Sequence, residues 1–100
     1  MAKPNVVPVR RSMIRVNPRR LEYIIEDIGE NLSRIQLKGT EKFITVDIDF
    51  ESINRQWYKW FMQRAYVQDA FSNFSADERE FIMTGITKDE WDETFKDIEE

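Results

Sequence analysis

Residues 17–37, NPRRLEYIIEDIGENLSRIQL, decide the fold, because the first part of the stretch carries helix spacing and the last part opens a strand. Asn17 suits an N-cap, and Pro18 suits the first helical position, where its missing amide proton costs nothing. Val16 and Leu21 sit where a hydrophobic staple would place them. Leu21, Ile24, Ile25 and Ile28 follow the i, i+3, i+4, i+7 rule, so the spacing predicts a first helix from about 18 to Gly29, with a continuation through Leu32 left open.

Past this stretch the period becomes two. Ile44, Val46, Ile48 and Phe50 alternate with Phe43, Thr45, Asp47 and Asp49, as expected of a strand with two different faces. KGTEK (38–42) supplies a turn, and residues 32–37 the partner strand of a β-hairpin.

Upstream, all three prolines fall in the first twenty residues, at 4, 8 and 18. Pro4 and Pro8 push their predecessors toward extended conformations, so residues 1–17 read as an extended basic arm and 18–100 as a single small α+β domain. Val6, Val7, Val9, Met13, Ile14 and Val16 make the arm apolar enough to lie on a surface. Residues 1–20 hold six basic residues and no acid, whereas residues 21–100 hold nine basic and nineteen acidic ones, so the arm is +6 and the body −10. Such asymmetry suits a basic arm that meets nucleic acid or an acidic protein surface. Arg10, Arg11, Arg15, Arg19 and Arg20 are the candidate arm contacts. An acidic body does not bind DNA by itself, because phosphate binding needs a basic face.

Downstream, ESINRQWYKWFMQRAYVQDAF (51–71) predicts one long amphipathic helix capped by Asp49. Ile53, Trp57, Trp60, Phe61, Val67 and Phe71 fall on its core face. Tyr58, Met62 and Tyr66 fall on the opposite face with Arg55 and Lys59 beside them, and these five are the candidate partner-binding residues. Tyr and Met are favoured at interfaces, so protein docking is the first reading; aromatics beside cations could also stack single-stranded bases. Arg64 falls within the apolar face and should need a carboxylate, with Asp69, Glu78 or Glu80 as candidates. Two short helices follow: Ser75 to Glu78 and Thr87 to Glu90 are capping boxes, Gly85 suits a left-handed helix end, and Ile86 with Trp91 forms a second staple. Trp91, Phe95 and Ile98 trace one apolar stripe.

VQDAFSNFSADEREFIMTGITKDEWDETF (67–95), preceded by Trp57 and Trp60, resembles a segment of small, mostly uncharacterised bacteriophage proteins. The chain departs from that pattern at Ser72 and Lys88, where proline often stands. The resemblance implies a phage origin and brings no activity or site residues with it.

Much chemistry is excluded by composition. The chain has no cysteine and no histidine, which removes disulfides, thiolate nucleophiles, zinc–thiolate sites and the usual base near neutral pH. No apolar run approaches the roughly 20 residues that span a bilayer, and the N-terminal stretch lacks the apolar core of a secretory signal. Asp47, Asp49 and Glu51 in DIDFE could hold Mg²⁺, but alternation and helix capping already account for them. KDEWDETFKDIEE (88–100) carries seven acids and two lysines. It reads as a solvated face and tail, although a phosphate-mimicking surface is possible. Its charge also rules out a helix-turn-helix reading of the last two helices. The expectation is a non-enzymatic phage-type interaction protein, located in the virion or host cytoplasm, that needs no cofactor and no metal. Its arm and aromatic helix would dock onto a larger protein assembly. The alternative is an accessory protein that grips nucleic acid with the arm.

Overall fold

Tyr23 and Ile25 are fully buried while Glu22, Ile24 and Glu26 are not, and that alternation is a strand's. The computed structural model describes residues 11–98 and contains no helix over 18–29. The order is β1 (Arg11–Val16), β2 (Glu22–Gly29), β3 (Leu32–Leu37), β4 (Phe43–Val46), α1 (Phe50–Phe61), α2 (Val67–Ala70), α3 (Ala76–Thr84) and α4 (Lys88–Ile98). The fold is therefore α+β, and its four strands form one antiparallel sheet in the order β1-β2-β3-β4.

The predicted first helix fails for a physical reason. Three isoleucines and a tyrosine in six residues stiffen the chain against helix and pack well on a pleated surface. Two turns then fix the register. Glu30 (φ 56°) and Asn31 (φ 61°) both have positive φ between β2 and β3, the mark of a type I′ hairpin. At the other end, Asn17 accepts at its backbone carbonyl from the amide of Arg20 (2.8 Å), and Arg20 takes a left-handed φ of 70°. Pro18 therefore serves a turn, and Asn17 is not the N-cap of a helix.

Residues 11–16, expected as part of a free arm, are β1. They pair with β2 from Arg11↔Asp27 to Val16↔Glu22. Residues 1–10, with Arg10 among them, lie outside the described residues. The predicted hairpin is present: Ser33↔Val46, Arg34↔Thr45, Ile35↔Ile44 and Gln36↔Phe43 set the β3–β4 register.

The long helix is broken. α1 ends at Phe61, Arg64 adopts a left-handed φ of 60°, and the short α2 follows. A straight helix would hold residues 57 and 71 about 21 Å apart. The break instead brings the Trp57 and Phe71 rings to 5.7 Å. Burial of Ala70, Phe71 and Phe74 thus outweighs the local backbone cost. The same break turns Arg64 outward. Its predicted carboxylate partner does not exist among the described residues.

The remaining punctuation is as expected. Asp49 accepts from the amide of Ser52 at 3.1 Å, Ser75 and Glu78 form a capping box, and Thr87 and Glu90 exchange the same pair of bonds. Gly85 sits at φ 77°, and a Cβ there would come within 2.8 Å of Leu37. The core lies between one sheet face and α1–α3, with Tyr23, Ile25, Ile35 and Val46 meeting Ile53, Trp57, Phe71, Phe81 and Ile82. Trp57 is its centre, with the rings of Tyr23 at 5.6 Å and Trp60 at 5.3 Å.

Candidate docking surface

Among the described residues β1 is an edge strand, and α1 lies along it. Arg11 ties the near ends together through Glu51 (2.5 Å) and Asp27 (3.2 Å), and both partners hold its guanidinium pKa above the ordinary value. Midway, Arg15 donates to the Asn54 side-chain oxygen at 2.7 and 3.3 Å. At the far end the Trp57 indole donates to the Val16 carbonyl at 3.0 Å. These links leave a groove of about 420 Å³ between strand and helix, lined by Ile14, Arg15, Val16, Asn54, Trp57, Tyr58, Phe61 and Met62.

The groove gathers exposed apolar surface. Among the described residues the exposed large hydrophobic side chains are Ile14, Phe43, Tyr58, Phe61, Met62 and Tyr66. Tyr58, Phe61 and Met62 line its helix wall, and Ile14, whose pairing with Ile24 puts its side chain on the outer sheet face, borders it at the strand edge. Tyr58 is 56% and Met62 60% exposed, so the predicted outward face of the helix is outward. Isolated apolar side chains on a surface are ordinary; a cluster around one concavity is not.

The predicted site residues are only partly brought together. Tyr58 and Met62 share the groove with Arg15. Arg55 and Lys59 flank Tyr58 in an adjoining hollow of about 540 Å³. Tyr66 lies beyond the helix break, where it precedes α2 and does not line the groove. Arg11 is committed to its two carboxylates, and Arg19 and Arg20 are exposed in the β1–β2 turn. Phe61, assigned by its phase to the core, is 44% exposed because the helix ends there. Ile14 was legible only as one of the arm's apolar residues and Asn54 carried no sequence signal, since their places here depend on β1 lying beside α1.

Charge divides the same way. Arg34, Lys38, Lys42 and Lys88 pair with Glu26, Glu22, Glu90 and Asp92. Among the described residues no carboxylate forms an ion pair with Arg15, Arg19, Arg20, Arg55, Lys59 or Arg64. Arg55 donates to the Ser52 hydroxyl at 3.0 Å, and its charge adds to the Ser52 hydrogen bonds that hold Asp49 below the ordinary carboxylate pKa. A further hollow, lined by Pro18, Trp60, Phe61, Arg64 and Ala65, places Arg64 next to the turn and joins the groove at Phe61. Apart from Arg79, which donates to the Phe71 and Phe74 carbonyls, the described cations without an ion pair lie along β1, α1 and the turns at their ends.

Comparison with protein-family models, with curated proteins and with solved structures finds no match to this chain. Among the described residues no three carboxylates converge as a metal site, Asp47 is exposed, and Asp49 is occupied as a cap. No helix there is long and apolar enough to cross a membrane.

Proposed function

We propose that this chain is a non-enzymatic interaction protein of bacteriophage type, which docks onto a larger protein assembly through the β1–α1 surface. A virion component or a host-complex binder fits this role, in the particle or the host cytoplasm. The supporting observation is the convergence of Tyr58, Phe61 and Met62 on one groove beside the β1 edge. Aromatic and methionine side chains are the usual anchors of such contacts, and a polar, charged rim excludes water around them. In this reading the arm acts through β1 rather than as a free tail.

Mass spectrometry of purified virions against infected-cell lysate tests the reading. Enrichment in particles, or in a defined host complex, with loss of capture by a Tyr58→Ala/Met62→Ala variant that still unfolds cooperatively, is the expected result. Equal capture by variant and parent would rule the surface out. The second reading, a nucleic-acid accessory protein, draws on the unpaired cations beside Tyr58. It requires binding that weakens steeply with salt.

A further inference from the structure

The hairpin that joins β1 to β2 closes with the amide of Asn17 donating to the Leu21 carbonyl at 2.9 Å. Bonding alternates along an antiparallel pair. Odd-numbered residues of β1 therefore bond β2, and Ser12, Ile14 and Val16 aim their backbone groups at the open edge. Two contacts agree with this phase: the Ile14 carbonyl accepts from the Arg15 guanidinium at 2.9 Å, and the Val16 carbonyl accepts from Trp57 at 3.0 Å. The amides of Ser12, Ile14 and Val16 are donors along an edge with no strand beside it among the described residues. A row of donors, an apolar groove beside them and a helix as the far wall make a seat for an extended chain.

The charge around this seat selects the chain. Arg15 lines the groove, and Arg55 and Lys59 stand on the adjoining turns of α1. We propose that the β1–α1 groove takes an acidic, extended segment of a partner protein, which adds as a strand to β1. This rests on the docking function above and names the partner's chemistry. Carboxylates at alternate positions of the added strand would face Arg15, Arg55 and Lys59 on the helix side, and the intervening apolar side chains would lie along Ile14 and Ile24 on the outer sheet face. A single-stranded nucleic acid fits less well, because phosphates make no ladder with spaced amides and the −10 charge of residues 21–100 repels a long polyanion. A second copy of β1 is disfavoured too, since it would bring Arg11 and Arg15 against their own kind.

Selection of short random displayed peptides on the full-length protein tests this, with oligo-dT as the nucleic-acid probe. The expected peptides alternate Asp or Glu with apolar residues, and they shift the amide resonances of Ser12, Ile14 and Val16. Methylating alternate peptide nitrogens should abolish binding. An Arg55→Glu/Lys59→Glu variant, checked for cooperative unfolding, should bind them about tenfold more weakly. Enriched peptides without acidic excess, or bound away from β1, would end this inference and leave the docking function standing. Oligo-dT seated in the groove while peptides are rejected would end both. A selection that enriches nothing would mark the edge as merely guarded by its cations and end the inference.

Discussion

The Asn17 side-chain amide donates to the Ile82 carbonyl at 2.8 Å, joining the first hairpin to the end of α3 across 65 residues of sequence. The same amide donates to Met83, and its oxygen accepts from the amides of Arg19 and Leu21. Asn17 is wholly buried. One side chain thus shapes the turn and satisfies two carbonyls at a helix end that would otherwise lack partners. Asn17→Ala removes all four bonds and leaves buried groups unpaired, so a loss of about 2–4 kcal/mol is expected in denaturant unfolding. A change below about 0.5 kcal/mol would show that water replaces the amide.

Trp57 and Tyr58 are neighbours in sequence with opposite duties. Trp57 is buried between Tyr23, Trp60 and Phe71, whereas Tyr58 stands in the groove mouth. Trp57→Ala should cost about 3–5 kcal/mol, or abolish folding. Tyr58→Ala/Met62→Ala should stay within about 1 kcal/mol of the parent. Urea titration of both variants decides the matter; a large loss in the double variant would make this face part of the core.

These contrasts show what the sequence could reveal. Tyr58 and Met62 were legible because helical phase alone places them opposite Ile53, Trp57 and Trp60. The caps at Asp49, Ser75, Thr87 and Gly85 were legible because their chemistry is local. The β3–β4 hairpin was legible because its alternation admits no helical phase. Leu21, Ile24, Ile25 and Ile28 were ambiguous, since their spacing also suits a helix, and only pairing with β1 and β3 settles it. The break at Arg64 has no glycine or proline to announce it; it follows from the gain of folding Phe71 back onto Trp57. The groove was half visible, because Ile14 joins it only when residues 11–16 become an edge strand.

Tyr23 sets an alkaline limit to stability. Its hydroxyl donates to the Phe81 carbonyl at 2.6 Å, and burial pushes its pKa well above the ordinary 10.0. The folded state therefore keeps a proton that the unfolded state loses. Stability from this group is complete below pH 10.0 and declines as pH rises beyond it. The chain has no histidine, so little change is expected between about pH 6 and 9. Tyr23→Phe should cost about 1–2 kcal/mol at neutral pH and flatten the alkaline decline. Unfolding midpoints between pH 7 and 11 measure both; an unchanged alkaline slope in the variant would assign that decline to other groups.

Residues 11–16 depart furthest from the reading of a free arm, under which residues 1–16 could be removed without harm to a domain of residues 18–100. The sheet predicts the opposite. Deletion takes away β1, with the Met13 side chain from the core margin and the Val16 carbonyl from the Trp57 indole. It also strips Arg15 from Asn54 and Arg11 from Asp27 and Glu51, and it exposes the β2 edge, whose Tyr23 and Ile25 are fully buried. An unpaired apolar strand edge invites association. The truncated protein should therefore lose cooperative unfolding or aggregate, by circular dichroism and size-exclusion chromatography. Trp57→Phe provides the finer test, because it keeps an aromatic ring while it removes the donor to Val16 and part of the buried indole's volume. A loss of about 2–4 kcal/mol is expected from the lost bond and the cavity together, with faster amide exchange along β1 than along β3. A truncated protein that melts cooperatively near the parent midpoint would return residues 11–16 to the status of an arm, and the groove would then lack one wall.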